Sequence, residues 1–265
     1  PADSAIIDDE EAVSIIADYR NEDEEGVTRD FNRYKGYQTI IFFQHFIYQM
    51  EHQHPWKYYL HPESFTDDDR EAVKHICASQ KTEYDEQAVV NIYHHAQEYM
   101  DETNAPGLDG KTADRIRVLL WKMYYANCYA RYKEENHLFD FEDLLLYTYD
   151  IYRSDPTCKR YPWIQVDEVQ DLNGMQLAII DLLTAEDNPM VMYLGDEQQA
   201  IFSFMGAKVE TLTLLKMRCK GNIHHLQRNH RSPKYLLDVF NDYAEKQLKI
   251  DRELLPLSDN DTKAT

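Results

Sequence analysis

Acidic and amide side chains follow two short apolar runs in the second half of the chain. Asp167 and Glu168 come directly after the run at 163–166, and Asp196 and Gln199 follow a second run. A carboxylate at the end of a strand can hold Mg²⁺, which prefers one or two carboxylates together with water and phosphate oxygens. A neighbouring carboxylate can then orient or deprotonate an attacking water, and an amide can contact a phosphate. These residue types point to hydrolysis of a nucleoside triphosphate.

The side chains can act together only if the strands that precede them are neighbours. Apolar runs of this length, bounded by polar turns, are typical of buried strands in a parallel sheet, whose ligands bind at the carboxyl ends of the strands. Runs at 163–166, 190–194 and 222–226 fit this pattern, and helical segments separate them. The pattern predicts a parallel sheet with the acidic and amide groups converging at one edge.

Three motifs and an acidic-aromatic segment occur in order along this half. They are Asp-Phe-Glu-Asp-Leu-Leu at 140–145, Asp-Glu-Val-Gln-Asp at 167–171, Gly-Asp-Glu-Gln-Gln-Ala-Ile-Phe-Ser-Phe-Met-Gly-Ala at 195–207 and Leu-Gln-Arg-Asn-His-Arg-Ser at 226–232. The first resembles the segment before motif II of UvrD/Rep-type superfamily 1 DNA helicases, and the others resemble motifs II, III and IV. One such motif alone is a weak signal, because Asp-Glu pairs are common, whereas all of them in family order are specific.

The resemblance assigns roles to the polar residues of the motifs. It implies that Asp167 holds Mg²⁺ and that Glu168 is the catalytic base. Gln199 would sense the γ-phosphate, Arg231 would contact it, and His230 would lie against the adenine. The implied cofactors are therefore ATP and Mg²⁺.

Two more residues receive roles, and three positions depart from the family. Asp196 is expected at the nucleotide site because it follows the second apolar run, and by the resemblance Phe204 would stack on a base of single-stranded DNA. Met205 stands where the family usually has arginine, Ala200 where serine is usual, and His230 where tyrosine is usual. The imidazole of His230 can still stack on the adenine. The absence of the arginine at Met205 affects part of the coupling between the nucleotide and DNA.

The phosphate loop Gly-x-x-x-x-Gly-Lys-[Ser/Thr] does not occur before these motifs. The stretch 105–112 nearly matches it, with Ala105 in place of the first glycine. A phosphate loop follows a buried strand and opens a helix, whereas residues 88–100 predict a helix. We interpret 105–112 as a glycine-containing turn between two helices, and the chain as a fragment of a longer helicase that begins after the loop.

The pattern of apolar residues changes near Tyr161. Before it the spacing is helical, and after it short strands alternate with helices. We predict an α/β class that is predominantly helical, with a helical subdomain over 1–136, an α/β segment over 137–248 and a polar tail over 249–265. By the resemblance, the first corresponds to the helical insertion domain 1B. The second corresponds to part of the RecA-like domain 1A, a partial parallel sheet with helices on both faces.

Simpler expectations apply to segments outside the motifs. Residues 1–7 are expected to be frayed, and residues 20–30, which are rich in charge, to form a turn. A strongly apolar helix is predicted from about residue 30 to residue 50. The polar tail after residue 250 is expected to be disordered.

Composition restricts the class of protein and its partners. The net charge is −20 over 265 residues, although residues 208–234 carry seven basic residues against one acidic residue. Phosphate contacts dominate nucleic-acid affinity, so the acidic first half argues against strong duplex binding by that half. We find no apolar run of membrane-spanning length, no signal-peptide pattern and no metal-type cysteine spacing. These features predict a cytoplasmic protein without a membrane partner.

Three functions fit the residues. The first is an ATP-dependent DNA helicase or translocase that acts on single-stranded DNA or DNA junctions, with DNA-repair or replication proteins as partners. The second is a degenerate relative that binds DNA or protein without hydrolysis, which Met205 and the missing loop favour. The third is a nuclease that uses Asp167, Glu168 and Asp171 with a metal and needs no ATP. We predict the first for the full-length parent, and no ATP hydrolysis by this fragment alone.

Overall fold

The computed structural model describes most of the chain, and every structural statement below concerns the described residues. These are residues 5–7, 11–55, 59–102, 109–185, 187, 189–196, 199, 209–226, 228–249 and 255–256. Their contacts divide the chain into two compact units, Pro1–Leu212 and Thr213–Thr265. The predicted boundaries after residues 136 and 248 stay a prediction.

Seven helices come first along the chain. They are α1 (Ala12–Arg20), α2 (Glu24–Tyr34), α3 (Gly36–Glu51), α4 (Asp67–Gln80), α5 (Glu86–His94), α6 (Ala96–Glu102) and α7 (Gly110–Asn136). Helices α1, α3, α4, α5 and α6 all pack against α7. The side chains of Leu119, Leu120 and Met123 on α7 are fully buried and share one apolar core with Phe43 and Ile92. Burial of each such side chain contributes about 1.5–3 kcal/mol to the stability of the fold. Because five helices pack against α7, it is the centre of the helical part.

The prediction of a charged turn over residues 20–30 is wrong, because α2 begins at Glu24. Asp23 caps this helix by accepting a hydrogen bond from the backbone N–H of Gly26 (3.2 Å). Val27 and Phe31, four residues apart, are buried on one face. The acidic residues that suggested a turn are the N-cap and the first turn of an amphipathic helix, where negative charge is favourable.

The apolar helix predicted from about residue 30 begins instead at Gly36. Lys35 has left-handed backbone angles (φ 53°) and ends α2. A Cβ atom at Gly36 would lie 2.4 Å from the ring of Phe31. Only glycine allows this close approach, so the corner between α2 and α3 depends on that residue.

The first described residues are paired, so the prediction of frayed ends is wrong for them. β1 (Ala5–Ile6) lies parallel to β2 (Leu138–Phe139). The backbone N–H of Ile7 continues the pairing by donating to the carbonyl of Phe139 (2.9 Å). The pairing needs a partner strand far along the chain, which local sequence patterns do not indicate.

Polar contacts join α3 and the turn after it to α8 (Phe141–Ser154). His45 is fully buried and lies within hydrogen-bonding distance of Glu142, and His54 lies 2.9 Å from Asp150. Burial lowers the pKa of His54, although Asp150 opposes that shift. These contacts hold α8, which leads into the sheet, against the helical part.

The sheet of the first unit contains the parallel pair that the sequence predicts. β3 (Trp163–Val166) and β4 (Met190–Tyr193) are paired in parallel along their whole length. Between them in sequence lies α9 (Gly174–Leu183), which packs against α8. A small apolar cluster lies between these two helices, formed by Leu146, Tyr149, Met175 and Ile179. Both strands therefore end at the same edge, and the fold is mostly helical with small parallel sheets, consistent with an α/β class.

The remaining elements are short. They are α10 (Val209–Arg218), β5 (Arg228–Asn229), α11 (Lys234–Tyr243) and β6 (Leu255–Pro256). β5 pairs in parallel with β6, so the expected disorder of the tail is wrong for those two residues. None of the described helices combines the length and apolar content that crossing a membrane requires.

The strand predicted at 222–226 is wrong, because these residues form no strand and are exposed. Its apolar side chains, Ile223 and Leu226, are three residues apart, and the alternation of a strand would place them on opposite faces. Leu226 is 77% exposed. With little apolar surface to bury, the segment gains nothing from joining a sheet.

Candidate functional site

The candidate site lies at the carboxyl ends of β3 and β4. Asp167 and Glu168 follow β3 directly, and both are exposed. Glu168 has left-handed backbone angles (φ 51°), which cost a non-glycine residue about 1–2 kcal/mol. The Asp167 carboxylate accepts a hydrogen bond from the Glu168 backbone N–H (2.9 Å) and offsets part of this cost. Backbone strain of this kind is concentrated at functional sites.

Gly195, just after β4, allows the second strand end to approach the first motif. A Cβ atom there would lie 2.6 Å from Oε1 of Gln170 and 2.7 Å from Cγ2 of Val169. The backbone N–H of Val169 donates to the carbonyl of Leu194 (3.0 Å). The glycine is therefore required by close packing of two loops.

Gln170 links the two strand ends. Its side chain is buried, and its Oε1 accepts a hydrogen bond from the backbone N–H of Asp196 (3.0 Å). Its Nε2 donates to Oε2 of Glu168 (2.7 Å). No role was predicted for this amide from the sequence. The available signal was its place two residues after Glu168 within the same motif.

Gln199 extends the same chain of hydrogen bonds. Its Nε2 donates to Oδ2 of Asp196 (3.2 Å), and its backbone N–H donates to the Asp196 carbonyl (3.0 Å). The structure thus brings Glu168, Asp196 and Gln199 together through Gln170. Their roles toward a nucleotide stay predictions.

Three predicted positions of the second motif lie outside the described residues. These are Ala200, Phe204 and Met205. The stacking of Phe204 on a DNA base and the effect of Met205 on coupling therefore stay predictions.

The third motif lies in the second unit. Asn229 forms a side-chain turn there, because its Oδ1 accepts hydrogen bonds from the backbone N–H groups of Arg231 (2.9 Å) and Ser232 (2.7 Å). His230 and Arg231 are exposed on this turn, ahead of Pro233 at the start of α11. Their approach to a nucleotide stays a prediction.

The Asp167 carboxylate is free to coordinate a Mg²⁺ ion through its second oxygen. One of its carboxylate oxygens accepts the N–H of Glu168, and its side chain is exposed. Across the described part of the chain, no three His, Cys, Asp or Glu side chains are grouped as a metal site. Mg²⁺ commonly uses one or two carboxylates and completes its shell with water and phosphate oxygens, and Asp167 fits that mode.

Acidic residues at the start of α8 form a buried cluster. Nζ of Lys133 lies 2.6 Å from both Asp140 and Asp143, and Tyr129 and Gln44 donate to Asp140. Burial opposes ionisation, but Lys133 holds the pKa of Asp140 below its usual value. Burial and the nearby Asp140 charge raise the pKa of Asp143. The cluster fixes the helix that leads toward β3.

The stretch that resembles a phosphate loop has a different role where it is described. The carboxylate of Asp109 accepts hydrogen bonds from the backbone N–H groups of Lys111 (3.1 Å) and Thr112 (3.0 Å), and so caps α7. The preceding described element is a helix, which ends at Glu102. Residues 103–108 lie outside the described residues. The helix N-terminus is therefore occupied by its own cap, in agreement with a turn between two helices.

Comparisons with known proteins find similarity to DNA helicases. The family model described as the UvrD/REP helicase N-terminal domain matches residues 5–220. The chain is similar to a probable DNA helicase II homolog of Mycoplasma capricolum subsp. capricolum, with 25% identity over 176 residues, 64% of this chain and 24% of the relative. It is similar to the ATP-dependent DNA helicase srs2 of Schizosaccharomyces pombe, with 31% identity over 124 residues, 46% of this chain and 13% of the relative. DNA helicase II of Haemophilus influenzae is 28% identical over 134 residues, 49% of this chain and 18% of the relative.

The chain spans less than a quarter of the length of each of these relatives. The family model nevertheless covers most of the chain and includes the first two motifs. The chain therefore belongs to the UvrD/REP helicase family.

Proposed function

We propose that this chain is part of an ATP-dependent DNA helicase in which ATP hydrolysis drives movement along single-stranded DNA. The observation that carries the proposal is the hydrogen-bond chain from Glu168 through Gln170 to Asp196. It joins carboxylate residues at the ends of neighbouring parallel strands, where such sheets bind their ligands. The names of the similar proteins, which are DNA helicases, support the same activity.

In this proposal, residues 137–248 form a segment of a RecA-like domain with helices on both faces of its sheet. Residues 1–136 form a helical insertion subdomain like domain 1B, and residues 249–265 are a polar tail. Two separate apolar clusters support this division, one among α1 to α7 and the other between α8 and α9. The polar contacts of His45 and His54 with α8 would join the two subdomains.

The arrangement of Glu168 suits activation of water. Gln170 holds Oε2 of Glu168 by donating a hydrogen bond, which leaves the other carboxylate oxygen to accept a proton from an attacking water. A Mg²⁺ ion held by Asp167 would neutralise negative charge on the phosphates. Glu168 would orient the water and take its proton, so that the water oxygen can attack the terminal phosphate.

The other nucleotide contacts follow from residue type. Gln199 would donate its amide to the terminal phosphate, and Asp196 would orient that amide through the contact that the two residues make. Arg231 would contact the same phosphate, because a guanidinium matches phosphate geometry. His230 would stack on the adenine ring.

The phosphate cradle is proposed to lie outside this chain. Such a cradle needs free backbone N–H groups at a helix N-terminus and a lysine. The N–H groups of Lys111 and Thr112 are already bonded to Asp109. We therefore expect this chain alone to hydrolyse no ATP.

Single-stranded DNA, or a junction that contains it, is the proposed substrate of the full-length protein. Phe204 would stack on a base, since every base offers a face to an aromatic ring. DNA-repair or replication proteins are the proposed partners. The excess of basic residues over 208–234 supports a contact with phosphates.

A binding module without hydrolysis is the second candidate, because Met205 replaces the usual arginine of the motif. ATP turnover by the full-length protein, measured with and without single-stranded DNA, distinguishes the two. Steady turnover that DNA stimulates supports the helicase. DNA binding without turnover supports the module, above all if Met205→Arg restores hydrolysis.

A further inference from the structure

The buried amide of Gln170 is bonded at both ends, and its two partners fix its orientation. Only 2% of the residue is exposed. Its Oε1 accepts from the backbone N–H of Asp196 (3.0 Å), and its Nε2 donates to Oε2 of Glu168 (2.7 Å). A backbone N–H can only donate and an ionised carboxylate can only accept. The amide therefore satisfies both partners in one orientation and in no other.

The packing around Gln170 prevents its amide from moving independently of the end of β4. A Cβ atom at Gly195 would lie only 2.6 Å from Oε1 of Gln170. The N–H of Val169 donates to the carbonyl of Leu194 (3.0 Å), which holds the preceding residue against the same strand end. A displacement of the amide toward this strand end therefore also displaces the backbone at 195–196.

The side chain of Glu168, in contrast, lies at the surface. Its backbone is held, because its N–H donates to Asp167 (2.9 Å) and its carbonyl accepts from the N–H of Asp171 (2.9 Å). The carboxylate can therefore turn away from Gln170 while the backbone stays in place. Such a turn would leave Nε2 of Gln170 buried without an acceptor, a state that native proteins nearly always avoid.

Asp196 extends the connection to Gln199. Its Oδ2 accepts from Nε2 of Gln199 (3.2 Å), and its carbonyl accepts from the backbone N–H of the same residue (3.0 Å). A shift of the Asp196 backbone therefore also moves the amide that we propose to contact the terminal phosphate. The proposed base and the proposed phosphate contact lie at opposite ends of one series of hydrogen bonds.

We propose that Gln170 is a positioning residue that couples the side chain of Glu168 to the backbone of Asp196, and thereby to Gln199. When Glu168 turns toward an attacking water, Gln170 loses the bond that orients its amide. The bond to Asp196 then weakens as well, because hydrogen bonds within one buried network depend on each other. The roles of Glu168 and Gln199 in this inference rest on the proposed function, whereas the coupling itself is a property of this chain.

The experiment measures hydrogen exchange of the Asp196 backbone amide by NMR, in the purified chain without nucleotide. Glu168→Gln and Glu168→Ala are compared, because both remove the same charge and only glutamine keeps an oxygen that can accept from Gln170. We expect exchange roughly tenfold faster in Glu168→Ala than in Glu168→Gln. The N–H of Leu194, which donates to the carbonyl of Val166 (2.8 Å), is the reference and should exchange equally in both variants.

Gln170→Leu tests whether the effect passes through this amide. In a chain with that substitution, Glu168→Gln and Glu168→Ala should show the same exchange at Asp196, because no amide joins the two positions. Gln165→Leu is the matched control, since Gln165 is exposed on β3. It should leave the roughly tenfold difference between the variants at position 168 unchanged.

Equal exchange at Asp196 in Glu168→Gln and Glu168→Ala would overturn the inference, and this comparison decides alone if Gln170→Leu does not fold. A difference that persists in the Gln170→Leu chain would also overturn it, because the effect would then follow another route. So would an equal change at Leu194, which would indicate a general loss of stability. The measurements involve no ATP, so a full-length protein without ATP turnover would refute the proposed function and leave the coupling in place.

Discussion

Replacing Gln170 with leucine tests the link between the two strand ends. The buried amide donates one hydrogen bond to Glu168 and accepts one from the backbone N–H of Asp196. Leucine has a similar size but no polar atoms, so both bonds are lost. A bond to a charged group contributes about 1.5–3 kcal/mol, and a buried N–H without a partner costs about 1–3 kcal/mol. Because Glu168 is exposed and screened, we expect a total loss of about 2–4 kcal/mol.

The assay for this loss is urea denaturation of the chain, with Gln165→Leu as the control. Gln165 is an exposed residue of β3, so its replacement should change the free energy of unfolding by less than about 0.5 kcal/mol. In the full-length protein, Gln170→Leu should also lower ATP turnover on the order of 10²-fold, because the Glu168 carboxylate is no longer held in place. Gln165→Leu should leave turnover unchanged.

Equal stability of the Gln170→Leu and Gln165→Leu chains would refute this reasoning, because neither bond of the amide could then matter. Gln170→Glu separates the two bonds. It keeps an acceptor for the N–H of Asp196 but places a second carboxylate against Glu168. We expect this variant to lose turnover as well, and normal turnover would show that Glu168 does not depend on the donated bond.

Three further predictions concern DNA, the isolated chain and the buried cluster. Phe204→Ala in the full-length protein should weaken single-strand affinity by roughly 1–3 kcal/mol without changing sequence preference, and an unchanged affinity at fixed salt would show that this ring does not stack on DNA. The isolated chain should show no ATP turnover with Mg²⁺ and single-stranded DNA, and steady turnover that disappears in Lys111→Ala would contradict the interpretation of residues 105–112 as a turn between two helices. Lys133→Met should destabilise the chain by about 3–5 kcal/mol, because the buried Asp140 and the partly buried Asp143 lose their common partner. Urea denaturation measures that loss, and a loss no larger than that of the exposed Lys81→Met would contradict it.

Sequence patterns predicted the elements whose signals are local. The strands β3 and β4 were predicted because each is a short apolar run that ends in polar residues, and the structure confirms their parallel pairing. The interpretation of residues 105–112 as a turn between two helices also implied a helix after it, and α7 begins at Gly110. In such segments the chain needs little information from distant residues.

The wrong predictions have two physical causes. Over residues 20–30 the acidic residues were interpreted as a turn, although Asp23 with Val27 and Phe31 has the spacing of a capped amphipathic helix. At 222–226 a strand was predicted from its apolar residues, but a strand forms only where a partner and a buried face exist. The first error concerns local signals that were available, and the second concerns tertiary contacts that no local pattern shows.

Local sequence patterns also predicted only part of the candidate site. Glu168, Asp196 and Gln199 could be selected by residue type and by their positions after the strands. The role of Gln170 could not be predicted in this way. It depends on a hydrogen bond with Asp196, which lies 26 residues away in sequence. Gly195 is explained only by the close approach of the same two segments.

The proposed function depends most on Glu168 as the base that activates water for ATP hydrolysis. The direct measurement is DNA-stimulated ATP turnover of full-length Glu168→Gln, together with nucleotide affinity and with Glu83→Gln, an exposed glutamate of the helical part, as the control. Loss of the general base should lower turnover on the order of 10²–10⁴-fold, while nucleotide binding and the control stay close to wild type. Turnover of Glu168→Gln within a few-fold of wild type would contradict the claim.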